Sequence, residues 1–320
     1  MIETNDITQS TDNFPKKYIP ILTAICCLAS VFLFVGINLE GKPDNWEVYK
    51  KWGSPSGIDI FNGSYWGLIT SNFLHIEIWH IAFNLYWLWI FGKKIEFESN
   101  KAYYGLLILT SALVSSLAQL SFSDSTGIGL SGIGYSLFGF LFVKSKTTEA
   151  YKNFLDKRTI AIFLIWLIAC IVLTQTKSLM VGNAAHVGGL LWGMTLAYIS
   201  KFNKFKQWVV GLVLFFVLAS SIFWNPISTL WLSSQAFELH SNQKIDEAII
   251  IYEKILNRDP DNEFAKINLN QLEILKLQEK AFELHANKKY SEARQVYNQI
   301  LTIDRENKWA IDNLKLLPND

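Results

Sequence analysis

Residues 129–140 read GLSGIGYSLFGF. Ser131 stands between two glycines, and no charged residue follows it until Lys144. The approach, STGIGLSG from Ser125, is too glycine-rich to start a helix readily, so the pattern predicts a helix beginning near Ser131. About a dozen residues then remain before Lys144. At ~1.5 Å per residue they cover under ~20 Å, less than the ~30 Å of a hydrocarbon core. Non-helical backbone at membrane depth survives only where it is buried in protein or lines a water-filled cavity. The stretch therefore predicts a hydroxyl facing a cavity inside a membrane domain.

The surrounding chain has the composition of such a domain. Of 320 residues half are hydrophobic, with 12 Trp and 22 Phe, and the formal net charge is only +1, which argues against a nucleic-acid partner. Residues 1–225 are dominated by uncharged apolar blocks, whereas 235–320 are dense in Glu, Lys, Asp, Asn and Gln. Seven blocks are candidate spans: Ile19–Leu39, Ile78–Gly92, Ala102–Phe122, Ser125–Val143, Thr159–Thr176, Ser178–Ser200 and Trp208–Trp224. The first is too long for a signal-peptide core and follows Glu3, Asp6 and Asp12, so it is expected to remain as an anchor. Cys26, Cys27 and Cys170 all lie in apolar blocks and form neither a disulfide framework nor a metal pair.

Lys and Arg fix the expected orientation. With the N-terminus inside, the inside segments carry Lys16, Lys17, Lys93, Lys94, Lys101, Lys144, Lys146, Lys152, Lys157, Arg158, Lys201, Lys204 and Lys206. The outside loops carry only Lys42, Lys50, Lys51 and Lys177. Seven spans then leave the C-terminal region outside. That region repeats itself at an offset of 45: AFELHSNQKIDEAIIIYEKILNRDPDN from Ala236 aligns with AFELHANKKYSEARQVYNQILTIDREN from Ala281. Ala248, Tyr252 and Leu256 recur as Ala293, Tyr297 and Leu301. The pattern resembles tetratricopeptide repeats, whose usual period is ~34 residues. The additional residues amount to three helical turns, which predicts an elongated helix over 263–287 and a module able to bind a peptide or protein partner.

Two further stretches change what Ser131 means. In HIEIWHIAFNLYWLWIFGKKIE, His80 and Asn84 are four apart and share a helix face, with His75 just before them. Polar residues inside a membrane are costly, so this face points at a cavity or a partner helix. In GNAAHVGGLLWGMTLAY, His186 is surrounded by Ala185, Gly189 and Gly193, small residues that let a neighbouring helix approach closely. Gly132 and Gly139 supply the complementary face on the Ser131 segment. Such packing would put a neutral imidazole within ~2.6–3.2 Å of the hydroxyl, the reach a general base needs. No Asp or Glu lies in these blocks, so the reading is a Ser131–His186 dyad, with Tyr135 one turn on to orient the ring by stacking. Asn84, His80 and the Ser131 amide at a helix N-terminus are candidate oxyanion donors.

The ordered set resembles the rhomboid intramembrane serine proteases. It comprises H-x4-H-x3-N (His75, His80, Asn84), then G-x-S-G (Gly129, Ser131, Gly132) with Tyr135 four residues on, then A-H-x-x-G-x-x-x-G (His186, Gly189, Gly193). Gly92 and Glu96 resemble that family's G-x-x-x-E turn. The chain departs from the pattern at Trp66-Gly67, where many members carry Trp-Arg. The resemblance implies an all-α polytopic bundle, a rhomboid-like six-helix core plus one C-terminal transmembrane helix, followed by the small helical repeat domain. The expected partition is a cytoplasmic tail (1–17), the protease core (18–200), the seventh helix (201–230) and the repeats (231–320). The implied activity is hydrolysis of peptide bonds in or next to transmembrane helices of membrane-protein substrates, with no cofactor and no metal. Phe163 and Trp166 would stand at the substrate entrance and residues 177–183 would cap the site. The expected place is a bacterial inner membrane, with the repeats periplasmic and with transmembrane substrates, the lipid bilayer and a peptide or protein bound by the repeats as partners, and no nucleic acid. The alternative is a catalytically silent relative that binds clients through its repeats. Neither paired intramembrane carboxylates nor an inverted repeat supports a transporter.

Overall fold

A computed structural model describes residues 18–41, 46–202 and 205–318. The tail 1–17 and Lys42 and Lys204 lie outside the described residues. The chain divides between Ser228 and Thr229 into two compact units. The first contains α1 (Ile21–Leu39), three short helices α2 (Trp46–Lys51), α3 (Gly57–Phe61) and α4 (Gly67–Thr70), and then α5 (Ile78–Glu98). It continues with α6 (Lys101–Phe122), α7 (Ser131–Thr147), α8 (Lys157–Gln175), α9 (Asn183–Phe202) and α10 (Phe205–Ala219).

Among the described residues, four helices are long and apolar enough to cross a membrane: α1, α6, α8, and α10 with the 3-10 turn that extends it to Ile222. The other three expected spans fold as α5, α7 and α9, outside that set. They are the helices that carry His80 and Asn84, Ser131, and His186. The uncharged block Ile78–Gly92 lies in α5, which runs on to Glu98, so Gly92 and Glu96, expected in a turn, are helical. Its charges find partners within the protein. Lys94 pairs with Glu98 at 3.0 Å. The Glu96 carboxylate accepts from the backbone N–H groups of Leu22 and Thr23, both at 2.9 Å, and from the Thr23 hydroxyl at 2.8 Å. Glu96 thus satisfies donors in the first turn of α1 that the helix itself leaves unpaired. The sixth helix begins at Asn183 rather than Ser178, leaving 178–182 as a loop.

The centre of this unit is the pair α7 and α9. A methyl group at Gly189 would overlap the Gly132 carbonyl, and one at Gly193 would overlap the Ser136 carbonyl. The two backbones therefore touch, as only glycine permits. Helix α6 closes on the same pair, since a Cβ on Gly188 would come within 2.5 Å of the Ala118 methyl. Around them Leu88, Phe91, Tyr104, Tyr135, Phe138 and Phe163 form a buried core. The departure at Gly67 also has a steric cause: any Cβ there would overlap the Pro55 ring.

The second unit consists of α11 (Thr229–Ser241), α12 (Ile245–Leu256), α13 (Glu263–Ala286), α14 (Tyr290–Ile303) and α15 (Lys308–Leu316). Its repeat is structural to the level of single bonds. Asn262 caps α13 through Ala265 N–H at 3.0 Å, and Asn307 caps α15 through Ala310 N–H at 3.1 Å. Each cap amide donates back to an aspartate, Asp259 or Asp304, at 3.1 Å. Gln243 and Lys288, 45 positions apart, share a φ of 60° in equivalent turns. The elongated helix is α13, with buried Ala265 and Leu272 in one cluster and Ala281 in the next.

Candidate active site

Helix α7 starts at Ser131 because the chain before it cannot be helical. Gly127 and Gly129 hold φ of +72° and +106°, a region that favours glycine. At Gly129 a Cβ would also come within 2.6 Å of the His80 ring. Two bonds hold this approach: Gly129 N–H donates to the Ser71 carbonyl at 3.2 Å, and Leu130 N–H to His75 Nε2 at 3.2 Å. Ser71 is braced in turn by the Thr126 hydroxyl, which donates to its Oγ at 3.0 Å.

His75 is fully buried and joins two elements. Because its Nε2 accepts from Leu130, its proton is on Nδ1, facing the Phe73 carbonyl at 3.2 Å. The Asn84 amide also donates to His75 Nε2, at 3.0 Å. Burial, reinforced by the His80 ring centred 4.9 Å away, pushes the His75 pKa down to about 3, so the ring stays neutral. An amide carries two N–H donors, and His75 engages one of those on Asn84.

Ser131 and His186 meet across the α7–α9 contact: Ser131 Oγ and His186 Nε2 are 2.8 Å apart. Among the described residues His186 Nδ1 is buried without a hydrogen-bond partner, and none of them brings a carboxylate to orient the imidazole. The Tyr135 ring lies against it, centroids 4.7 Å apart at 30°. Tyr135 is fixed by its hydroxyl, which donates to the Phe163 carbonyl at 3.1 Å, and by the Phe163 ring at 5.3 Å. Phe163, read from sequence as an entrance residue, is 5% exposed and stacks on Phe138 at 4.5 Å. Trp166 faces Phe83 across α8 and α5 at 6.0 Å.

Ser131, His186, His80 and Asn84 line one cavity of about 910 Å³, together with Gln119, Tyr135 and the loop residues Leu179–Gly182. Met180 in that loop is 82% exposed. Gln119, not singled out by the sequence reading, accepts from Ala185 N–H at 3.1 Å and so secures the first turn of α9 beside His186. Its sequence signal was slight, a lone amide in an apolar block. Among the described residues no group of three His, Cys, Asp or Glu side chains is placed to hold a metal ion. The arrangement can take a proton from an alcohol and offer amide donors to a developing oxyanion.

Residues 62–203 match the rhomboid domain, and residues 277–307 match a tetratricopeptide repeat. Over 186 residues the chain is 26% identical to "Rhomboid protease GlpG" of Salmonella paratyphi A (strain ATCC 9150 / SARB42). The same identity and length relate it to the protein of that name from Salmonella newport (strain SL254). The match covers 58% of this chain and 65% of the length of these curated relatives.

Proposed function

With a rhomboid domain in residues 62–203 as the premise, we propose that the chain is an intramembrane serine protease acting through Ser131 and His186. The observation that carries this reading is the 2.8 Å contact between Ser131 Oγ and His186 Nε2 at a cavity among apolar helices. Neutral imidazole takes the hydroxyl proton as Oγ attacks the scissile carbonyl. Negative charge then develops on the carbonyl oxygen, where the Asn84 amide, the Ser131 N–H and His80 stabilise it. The Ser131 N–H is one of the first four of α7, which have no acceptor inside the helix. The imidazolium returns its proton to the leaving amine, and water hydrolyses the acyl-enzyme by the reverse sequence. Tyr135 supplies the orientation that a carboxylate supplies in a triad.

The substrates are membrane proteins whose helix unwinds locally at the cleavage site, because a helical amide is already hydrogen-bonded. Residues of poor helix propensity there lower that cost. The excess of Lys and Arg in alternate loops supports a cytoplasmic N-terminus in a bacterial membrane, which would leave the repeats (231–320) outside, where they could engage protein partners. A fluorophosphonate probe tests the chemistry. Wild type should label at Ser131 and cleave a single-span reporter, with both lost in Ser131→Ala and His186→Ala. Wild type that neither labels nor cleaves in lipid overturns the protease reading and favours a silent, client-binding relative.

A further inference from the structure

The reaction as described leaves the segment after α10 without a task, yet that segment makes a specific attachment. Asn225 is 4% exposed, in the turn that follows the 3-10 extension of α10. Its amide donates to the carbonyl of Leu120 at 3.2 Å and reaches that of Ser121 at 3.5 Å. Its own Oδ1 accepts from Ser228 N–H at 3.2 Å, which fixes which way the amide points.

The place of this contact matters. The last four carbonyls of a helix have no partner within it. In α6 the Gln119 carbonyl is taken by Ser123, through its N–H at 2.9 Å and its hydroxyl at 3.0 Å. Leu120 and Ser121 come next, and a residue more than a hundred positions away supplies their donor. The same turn of α6 is gripped by side chains. Buried Leu117 and Leu120 pack with Ile60 and Leu68, and Leu218, Ala219 and Ile222 of the α10 segment close over them. On another side this turn presents Gln119, whose Oε1 holds Ala185 N–H, one residue before His186.

We infer that Asn225 is a positioning residue for the Ser131–His186 pair. It sets the final turn of α6, and that turn, through Gln119, sets the first turn of α9. Asn225 touches neither substrate nor reacting atoms and acts only through this relay. The inference rests on the protease reading, and it gives the seventh helix a role in catalysis besides anchoring.

The test uses the full chain in lipid bicelles with a single-span fluorogenic reporter. Asn225→Asp keeps the shape and the acceptor for Ser228 and, assayed at a pH where the carboxylate is ionised, offers no donor to the α6 carbonyls. The expected result is a fall in kcat of roughly tenfold with KM little changed. Fluorophosphonate labelling of Ser131 should slow in the same proportion once corrected for folded fraction. Asn225→Ala combined with Gln119→Ala separates relay from general loosening. A relay makes the double variant no slower than Gln119→Ala alone, whereas independent effects multiply. Multiplying effects, or wild-type labelling by the Asn225 variants, overturn the inference while leaving the protease reading intact. If Asn225→Asp does not fold, Asn225→Ser carries the same comparison. Wild type that fails to label overturns the protease reading, and this inference with it.

Discussion

At the scale of single residues, the candidate site is held by side chains bonded to backbone atoms distant in sequence. His75 joins Asn84 to the Leu130 amide, and Gln119 joins α6 to the first turn of α9. If Asn84 is an oxyanion donor as proposed, Asn84→Ala should lower kcat by about 10²–10³-fold, equivalent to ~2.7–4 kcal/mol of transition-state stabilisation. Steady-state kinetics on the reporter measure this, and unchanged turnover would take Asn84 out of that role. The sequence displayed Ser131, His186, Asn84 and His80 because each is a costly polar group in an apolar block. It also pointed to the ring contact between Tyr135 and His186, because four residues make one helical turn. It did not display Ser71 or Gln119 as supports. Ser71 supports the loop through its own backbone carbonyl and Gln119 holds the Ala185 N–H, and backbone groups carry no signature in the sequence.

At the scale of helices, small residues decide which pairs come close. Gly193→Ala places a methyl group against the Ser136 carbonyl, backbone that cannot swing aside. The expected cost is about 1–3 kcal/mol, the range of an overfilled core, read as a lower thermal midpoint in bicelles. A midpoint equal to wild type would mean that α7 and α9 can separate without cost. The close α7–α9 pairing was legible in the glycine spacing, including the complementary Gly132 and Gly139. The extent of α5 was not. A run of Lys93, Lys94, Glu96 and Glu98 reads as the end of a span, and only the fold shows Glu96 completing the first turn of α1 and Lys94 paired with Glu98.

At the scale of the whole chain, the structure divides into two units between Ser228 and Thr229, and the composition of the sequence changes between 225 and 235. Removing residues 229–320 leaves Asn225 and Ser228 in place, so the truncated chain should cleave the generic reporter at close to the wild-type rate. What should change is the set of natural clients, read by comparing released ectodomains. Loss of reporter cleavage by a folded membrane unit would contradict this. The helix α13 adds a mechanical consequence. It spans 24 residues, roughly 36 Å at ~1.5 Å per residue, and belongs to both repeat cores at once. With no joint between its halves it behaves as a stiff beam. A partner that tilted one repeat would carry the other with it through this shared helix.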